Sequence, residues 1–262
     1  MLKNKTLIDY QNEIKTEGYT IIKQLFDKSI VDKTLDLIHK YHEPNFQWSG
    51  LPSRDVDDKR IYVLPSFNTH FTNLVTTPLV VDILKFFLND PYYRWLSEDY
   101  PNFIINSCSA RSSGQFLDLH IDSTFPFLGD YPIGIVSIYA IEPSNLETGC
   151  TFGVPGSHKS GAFTNRNYTK LENFILNPGD CLLIDSRLWH GAGINNSGNS
   201  RWTVNCHYTR WFVKQDHDLT KIIPQNIYKQ LSEVQKIMLG YCSRPSDDPK
   251  KRINIKTGLE SL

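Results

Sequence analysis

Leu119-His120-Ile121-Asp122 sets a histidine and a carboxylate two positions apart. On a β-strand, where side chains alternate between faces, both would leave the same face and could close on one ion. His190, in Trp189-His190-Gly191-Ala192-Gly193, would complete two neutral imidazoles and one carboxylate. That donor set holds one face of a non-haem Fe(II) and leaves the remaining positions open for an oxidant and O₂. Arg201, a turn and a strand later, can return a guanidinium to the same cavity and grip a carboxylate through paired N–H donors. These residues together suggest an iron oxygenase.

A His-x-Asp pair alone arises easily by chance, so its surroundings decide. Downstream runs an apolar, strand-like segment over 133–141, then a turn, then Glu147-Thr148-Gly149-Cys150-Thr151-Phe152-Gly153-Val154-Pro155-Gly156-Ser157-His158. Asn177-Pro178-Gly179-Asp180 and a further apolar run to Asp185 follow, then Trp189-His190-Gly191, then Asn195-Asn196 and Arg201. In order and approximate spacing this ensemble resembles the phytanoyl-CoA dioxygenase-like family of Fe(II)/2-oxoglutarate oxygenases, over about residues 15–212. The resemblance implies a ferrous ion held by His120, Asp122 and His190, which would be both metal ligands and catalytic centre. It also implies 2-oxoglutarate as a bidentate cosubstrate, its far carboxylate anchored by Arg201 and by the hydroxyl of Thr151. O₂ would be consumed, succinate and CO₂ released, and ascorbate would help in vitro. Asp122 favours hydroxylation, because relatives that install chlorine replace this carboxylate with a small residue. His158 would brace a turn. Two positions depart from the family: Ile121 and Ala192 stand where a Gln and a small hydroxyl residue are frequent. Asn106 and Tyr139 are therefore named as further cosubstrate contacts.

Composition is consistent with one enzyme domain over residues 1–262, with N-terminal helices to about 95, a barrel core over about 100–212 and a helical tail over about 217–262. Forty per cent of the residues are hydrophobic, enough for a large core. The formal net charge is zero, with a pI near 7.1 and a mean hydropathy of −0.37, so neither nucleic acid nor an anionic membrane is expected as a partner. Five cysteines, widely spaced and without a C-x-x-C pair, indicate neither a disulfide framework nor a zinc site. With no apolar leader at the start and no run long enough to span a bilayer, the expected location is the cytoplasm.

Along the chain, the pattern predicts a helix over 7–15, a strand over 18–25 and a helix over 28–41 capped by Asp27. Residues 43–60 read as a polar loop, alternatively as a lid over the substrate. Thr77-Pro78 opens an apolar helix ending near 89, and 102–109 reads as a strand followed by a turn over 111–114. About eight short strands to residue 212, with Gly and Pro at their junctions, predict a mainly β fold with flanking helices, the double-stranded β-helix or cupin-like jelly roll. A helix-like pattern occupies 223–240.

Phe125, Phe127, Tyr139, Trp189 and Trp211, with Arg60 and Arg111, flank the expected mouth. From these, Arg60, Arg111, Phe125 and Trp189 are the expected substrate contacts. An apolar and cationic pocket suits a polar small molecule, such as a natural-product intermediate or a small carboxylate. Two other readings stay open: a catalytically idle metal-binding or sensor protein on the same barrel, and a cupin-type enzyme that dispenses with the cosubstrate and with Arg201. Oligomeric state is not legible in the sequence.

Overall fold

The computed structural model describes residues 5–43, 58–123, 131–160 and 170–244, with 248, 250, 257 and 259. The chain divides into two compact units, Met1–Tyr62 with Ser109–Asn205 and Val63–Cys108 with Cys206–Leu262. Residues 44–57, most of the segment read as a loop or lid, lie outside the described residues, as do Phe125 and Phe127.

The first unit opens with α1 (Leu7–Glu17). Thr6 and Asp9 close its first turn as a capping box, and Gly18 ends it in the left-handed region at φ 84°. A Cβ at Gly18 would also strike the His158 ring, so glycine is required there twice over. β1 (Tyr19–Ile22) is shorter than the strand expected over 18–25. Gln24 turns to φ 49°, and its N–H goes to the Asp180 carboxylate at 2.8 Å. Helix α2 (Lys28–Tyr41) falls where its pattern places it, with the Asp27 carboxylate accepting the Ile30 N–H at 3.0 Å.

The remaining strands are β2 (Lys59–Ile61), β3 (Phe103–Ser112), β4 (Leu117–His120), β5 (Gly134–Ala140), β6 (Thr151–Gly153), β7 (Glu172–Asn173), β8 (Cys181–Asp185), β9 (His190–Ala192) and β10 (Thr203–Arg210). They form a six-stranded sheet ordered β1-β8-β5-β10-β3-β2 and a four-stranded sheet ordered β4-β9-β6-β7. This is the double-stranded β-helix, and the eight strands from β3 to β10 match the count expected for it. β2 is a correction to the loop reading. Lys59, Arg60 and Ile61 pair with Ser112, Arg111 and Ala110, which carries β3 over the first two of the positions expected to turn, 111 and 112.

Strand β8 is buried along its whole length because it pairs on both edges, with β1 and with β5. Leu182 and Ile184 share a cluster with Ala140, Phe174, Leu176 and Leu188, with Tyr19, Ile21 and Ile138 packed against it. Each such aliphatic side chain contributes about 1.5–3 kcal/mol on burial. The Asn177-Pro178-Gly179-Asp180 turn feeding β8 is tied on both sides: Asp180 pairs with Lys23 at 2.9 Å, and the Phe26 N–H donates to the Gly179 carbonyl at 3.1 Å.

In the second unit lie α3 (Thr69–Val75), α4 (Pro78–Leu88), α5 (Leu219–Ile222), α6 (Gln225–Tyr228) and α7 (Glu233–Met238). α4 begins on the expected proline, and its last carbonyls are capped by the buried Arg210, which donates to Phe87 O at 2.7 Å and Leu88 O at 3.3 Å. The single helix expected over 223–240 is instead broken, since Pro224 lies immediately before α6 and Ser232 caps a new helix at Glu233. Trp211 stacks on Tyr93 with ring centroids 4.7 Å apart and donates its indole N–H to Asp90, which accounts for it as a packing residue. Among the described residues no single helix is long and apolar enough to cross a membrane.

Candidate metal centre and cosubstrate site

β4 and β9 pair antiparallel with His120 directly opposite His190. Cross-strand partners hold their Cβ atoms about 4.5–5.5 Å apart, so this register by itself sets the two imidazoles side by side. Their ring centroids are 4.4 Å apart. Asp122 arrives differently from the sequence expectation. β4 ends at His120, and Asp122 lies in the bend beyond it, so the alternation of a strand does not aim the carboxylate. The bend is fixed instead by the Ser123 N–H, which donates to the Ser186 carbonyl at 2.8 Å.

The Asp122 carboxylate then spans the pair: Oδ1 is 3.6 Å from His120 Nε2 and Oδ2 is 3.4 Å from His190 Nε2. These separations exceed a good N–H···O hydrogen bond. Donors about 2 Å from a common ion and at right angles to one another stand about 3 Å apart. One ligand atom from each of the three residues lies within 4.8 Å of the others, so the set fits a single cation.

Both imidazoles are oriented by the same device. His120 Nδ1 lies 2.9 Å from Asp118 O, and His190 Nδ1 lies 2.9 Å from Leu188 O. A carbonyl only accepts, so Nδ1 carries the proton in each ring and Nε2 offers its lone pair toward Asp122. Burial pushes the His190 pKa down, with His120 adding to the effect and Asp122 opposing it. Burial also pulls at His120, but the Asp122 carboxylate outweighs it and the net shift is upward.

The turn before His190 is built from groups that the motif reading did not single out. Asp185 and Arg187 form a buried two-point pair, Nε–Oδ1 at 2.9 Å and Nη2–Oδ2 at 2.7 Å. Ser157, in the Pro155-Gly156-Ser157-His158 turn, accepts the Trp189 N–H at 2.9 Å, while Val154 N–H donates to Trp189 O. His158 braces this turn, with Nε2 3.3 Å from Lys15 O. Gly191 is required by close approach: a Cβ there would run into Leu117 O and the Phe152 ring.

Arg201 is buried at 7% exposure. Its backbone N–H donates to Ser112 Oγ at 2.8 Å, and its Nε has no hydrogen-bond partner among the described residues. No carboxylate among the described residues pairs with it. Burial lowers its pKa, Arg111 adds to that, and Cys150 opposes it. A guanidinium buried in this way can pair with an incoming anion. Thr151, beside Cys150, lies on β6 opposite Ala192 of β9, the strand that begins at His190.

Other expected contacts are accounted for elsewhere. The Tyr139 ring is fully buried and packs on Phe26, with centroids 5.7 Å apart, and Asn106 donates its amide to the Lys214 carbonyl at 2.9 Å. Trp189 is 5% exposed and packs with Leu119 and Val154, so it is a core residue where a substrate contact was expected. Ile121 packs against the same cluster, which gives this departure from the family pattern an apolar role. Arg60 and Arg111 are brought together by Asp58: Arg60 Nε and Arg111 Nε each lie 3.0 Å from its carboxylate.

The family model described as Phytanoyl-CoA dioxygenase (PhyH) matches residues 14–203. An uncharacterized protein of Mycobacterium tuberculosis is 25% identical over 249 residues, covering 93% of this chain and 90% of its own. Dioxygenase af480 of Aspergillus fumigatus is 22% identical over 245 residues, covering 88% and 76%. Among solved structures, HygX from Streptomyces hygroscopicus with nickel and 2-oxoglutarate bound is similar with a TM-score of 0.63 at 15% identity, over 79% of this chain and 88% of that one. The non-heme alpha ketoglutarate dependent epimerase SnoN from nogalamycin biosynthesis reaches 0.62 at 18% identity, over 78% and 82%. At such low identity these structures speak for the fold.

Proposed function

The chain belongs to the phytanoyl-CoA dioxygenase family, and from that premise we propose that it is an Fe(II)/2-oxoglutarate-dependent dioxygenase that hydroxylates a small molecule. His120, Asp122 and His190 are the metal ligands in this reading, and Arg201 with Thr151 receives the far carboxylate of 2-oxoglutarate. Bound iron, 2-oxoglutarate and O₂ would supply the oxidant for a C–H bond, with succinate and CO₂ as co-products.

The chain's own residues do the positioning. The two Nδ1–H···O=C bonds fix the tautomer and plane of each imidazole, so both Nε2 lone pairs are available without rearrangement. The Asp185–Arg187 pair and the Ser157 bond hold the turn that delivers His190. Leu119 and Trp189, the residues before His120 and His190, pack with Val154 into an apolar cluster that anchors the strands carrying both histidines.

One observation carries the proposal: a three-donor cluster that could hold one metal ion occurs in the same unit as a buried guanidinium whose Nε has no hydrogen-bond partner among the described residues. The 2-oxoglutarate bound to HygX, on the same fold, supports the same cosubstrate here. The test is succinate formation from 2-oxoglutarate with Fe(II), ascorbate, O₂ and a panel of small molecules, with products screened for the mass of one added oxygen. Succinate release that depends on His120, Asp122, His190 and Arg201 is the expected result. Iron binding with no 2-oxoglutarate turnover on any substrate would favour an idle metal-binding protein. Full activity after Arg201→Leu would favour an enzyme that needs no cosubstrate.

A further inference from the structure

The cluster of Asp58, Arg60 and Arg111 is not used by the reading above. Arg111 donates from Nε to Asp58 Oδ1 at 3.0 Å and from Nη2 to Oδ2 at 3.3 Å. Arg60 approaches the same carboxylate with Nη2 at 2.9 Å and also donates from Nη1 to the Tyr62 hydroxyl at 3.1 Å. Among the described residues one carboxylate therefore serves two guanidiniums, which leaves a unit of positive charge in the cluster. The Nη1 edge of Arg111 has no acceptor among the described residues.

The position of the cluster ties it to Arg201. Arg111 is paired with Arg60 across β2 and β3, and its neighbour Ser112 accepts the backbone N–H of Arg201. The side chains of Arg60, Asp58 and Arg111 keep 33%, 18% and 27% exposure, so a molecule arriving from solvent can reach them. If 2-oxoglutarate takes Arg201 and the metal, the surplus cation remains for something else.

We infer that the substrate carries an anionic group, a carboxylate or a phosphate ester, and that Arg111, backed by Arg60, binds it while Asp58 sets how tightly. This deepens the function proposed above and rests on it. Asp58 competes with the substrate for the same guanidiniums, so removing its charge and removing that of Arg111 have opposite effects on binding. A purely structural cluster would not give that pair of signs.

The test is calorimetric titration of the full chain, anaerobic and loaded with Fe(II) and 2-oxoglutarate, with benzoate, phenyl phosphate and benzyl alcohol as probes. The anions should bind about tenfold or more tightly than the alcohol. Arg111→Gln should erase that preference, Asp58→Asn should strengthen it, and neither should change 2-oxoglutarate affinity by more than about twofold. Equal binding of anions and alcohol, or a preference that survives Arg111→Gln, overturns the proposal. So does loss of 2-oxoglutarate affinity in Arg111→Gln with benzoate binding intact, which would assign the cluster to the cosubstrate. The same titrations run without iron or 2-oxoglutarate separate the two readings. If loading fails but the opposite-signed effects persist, the dioxygenase reading falls while the anion site stands. If Arg111→Gln unfolds, as judged by its thermal melt, Asp58→Asn alone decides through the sign of its effect.

Discussion

Replacing Arg201 with Met should stabilise the protein alone and destabilise it relative to wild type once 2-oxoglutarate is added. Arg201 is 7% exposed, its Nε is unbonded among the described residues, and Arg111 is a like charge acting on it. A buried ion without a partner costs several kcal/mol, so exchange for an apolar chain of similar length should gain about 1–2 kcal/mol. For a protein of this size each kcal/mol moves Tm by about 2–4 °C, giving a rise of about 2–8 °C. The backbone bond to Ser112 Oγ survives the exchange, so the strand entry itself is not lost. Wild type at a hundredfold excess of 2-oxoglutarate over Kd gains about 2.7 kcal/mol, which the variant should forgo. Thermal melts with Ni(II) in place of iron, with and without 2-oxoglutarate, read both effects without turnover. A variant that melts below wild type in the absence of 2-oxoglutarate, or that 2-oxoglutarate stabilises equally, would refute the reasoning.

Asp122→Ala should abolish tight Fe(II) binding with little change in Tm, because the carboxylate sits in a bend at 31% side-chain exposure; metal titration and a melt check this together. Asp185→Ala should cost about 3–5 kcal/mol by removing the carboxylate that holds the buried Arg187 at two points, and Arg187→Met in the same chain should recover part of it, as denaturant titration would report. Gly191→Ala should lose about 1–3 kcal/mol and weaken metal binding, since its Cβ meets Leu117 O and Phe152 between the strands that align His120 and His190. Burial raises the Asp58 pKa, but Arg60 and Arg111 outweigh it and the carboxyl ends below its ordinary 3.8. A depressed folded-state pKa adds stability above the unfolded value that is lost as pH falls through the folded one. Asp58→Asn should therefore flatten the acid limb of the stability profile below about pH 4, measured by urea titration across pH.

How far the sequence carries depends on the range over which each contact acts. Helix α2 is legible to the residue because Asp27 and the apolar spacing behind it act within one turn. β5 and β8 are legible because apolar runs bounded by turn residues bury on both faces. Helix α3, capped by the Asn68 side chain, is not legible in the sequence because its Thr and Val residues weaken the helical pattern. The tail pattern over 223–240 hides two local stops, Pro224 and the Ser232 cap, that break it into separate pieces.

The metal cluster shows the same division more sharply. Its donor types are written in the sequence, but strand alternation accounts for their convergence only in part. His120 and His190 meet because β4 and β9 place them in register, which a motif cannot state and a jelly-roll fold implies. Leu119-His120-Ile121-Asp122 alternates as a strand should, yet the strand stops after His120 because Ile121 turns into the Trp189 cluster and Ser123 is drawn to Ser186. The carboxylate is thus aimed by a loop contact from β8's far end, and the second histidine by the Asp185–Arg187 pair in that same loop. One short connection, residues 185–190, therefore governs both flanks of the centre. It follows that Asp185→Ala should weaken Fe(II) binding more than its effect on global stability alone accounts for, a difference visible by titrating metal at a temperature where the variant is fully folded.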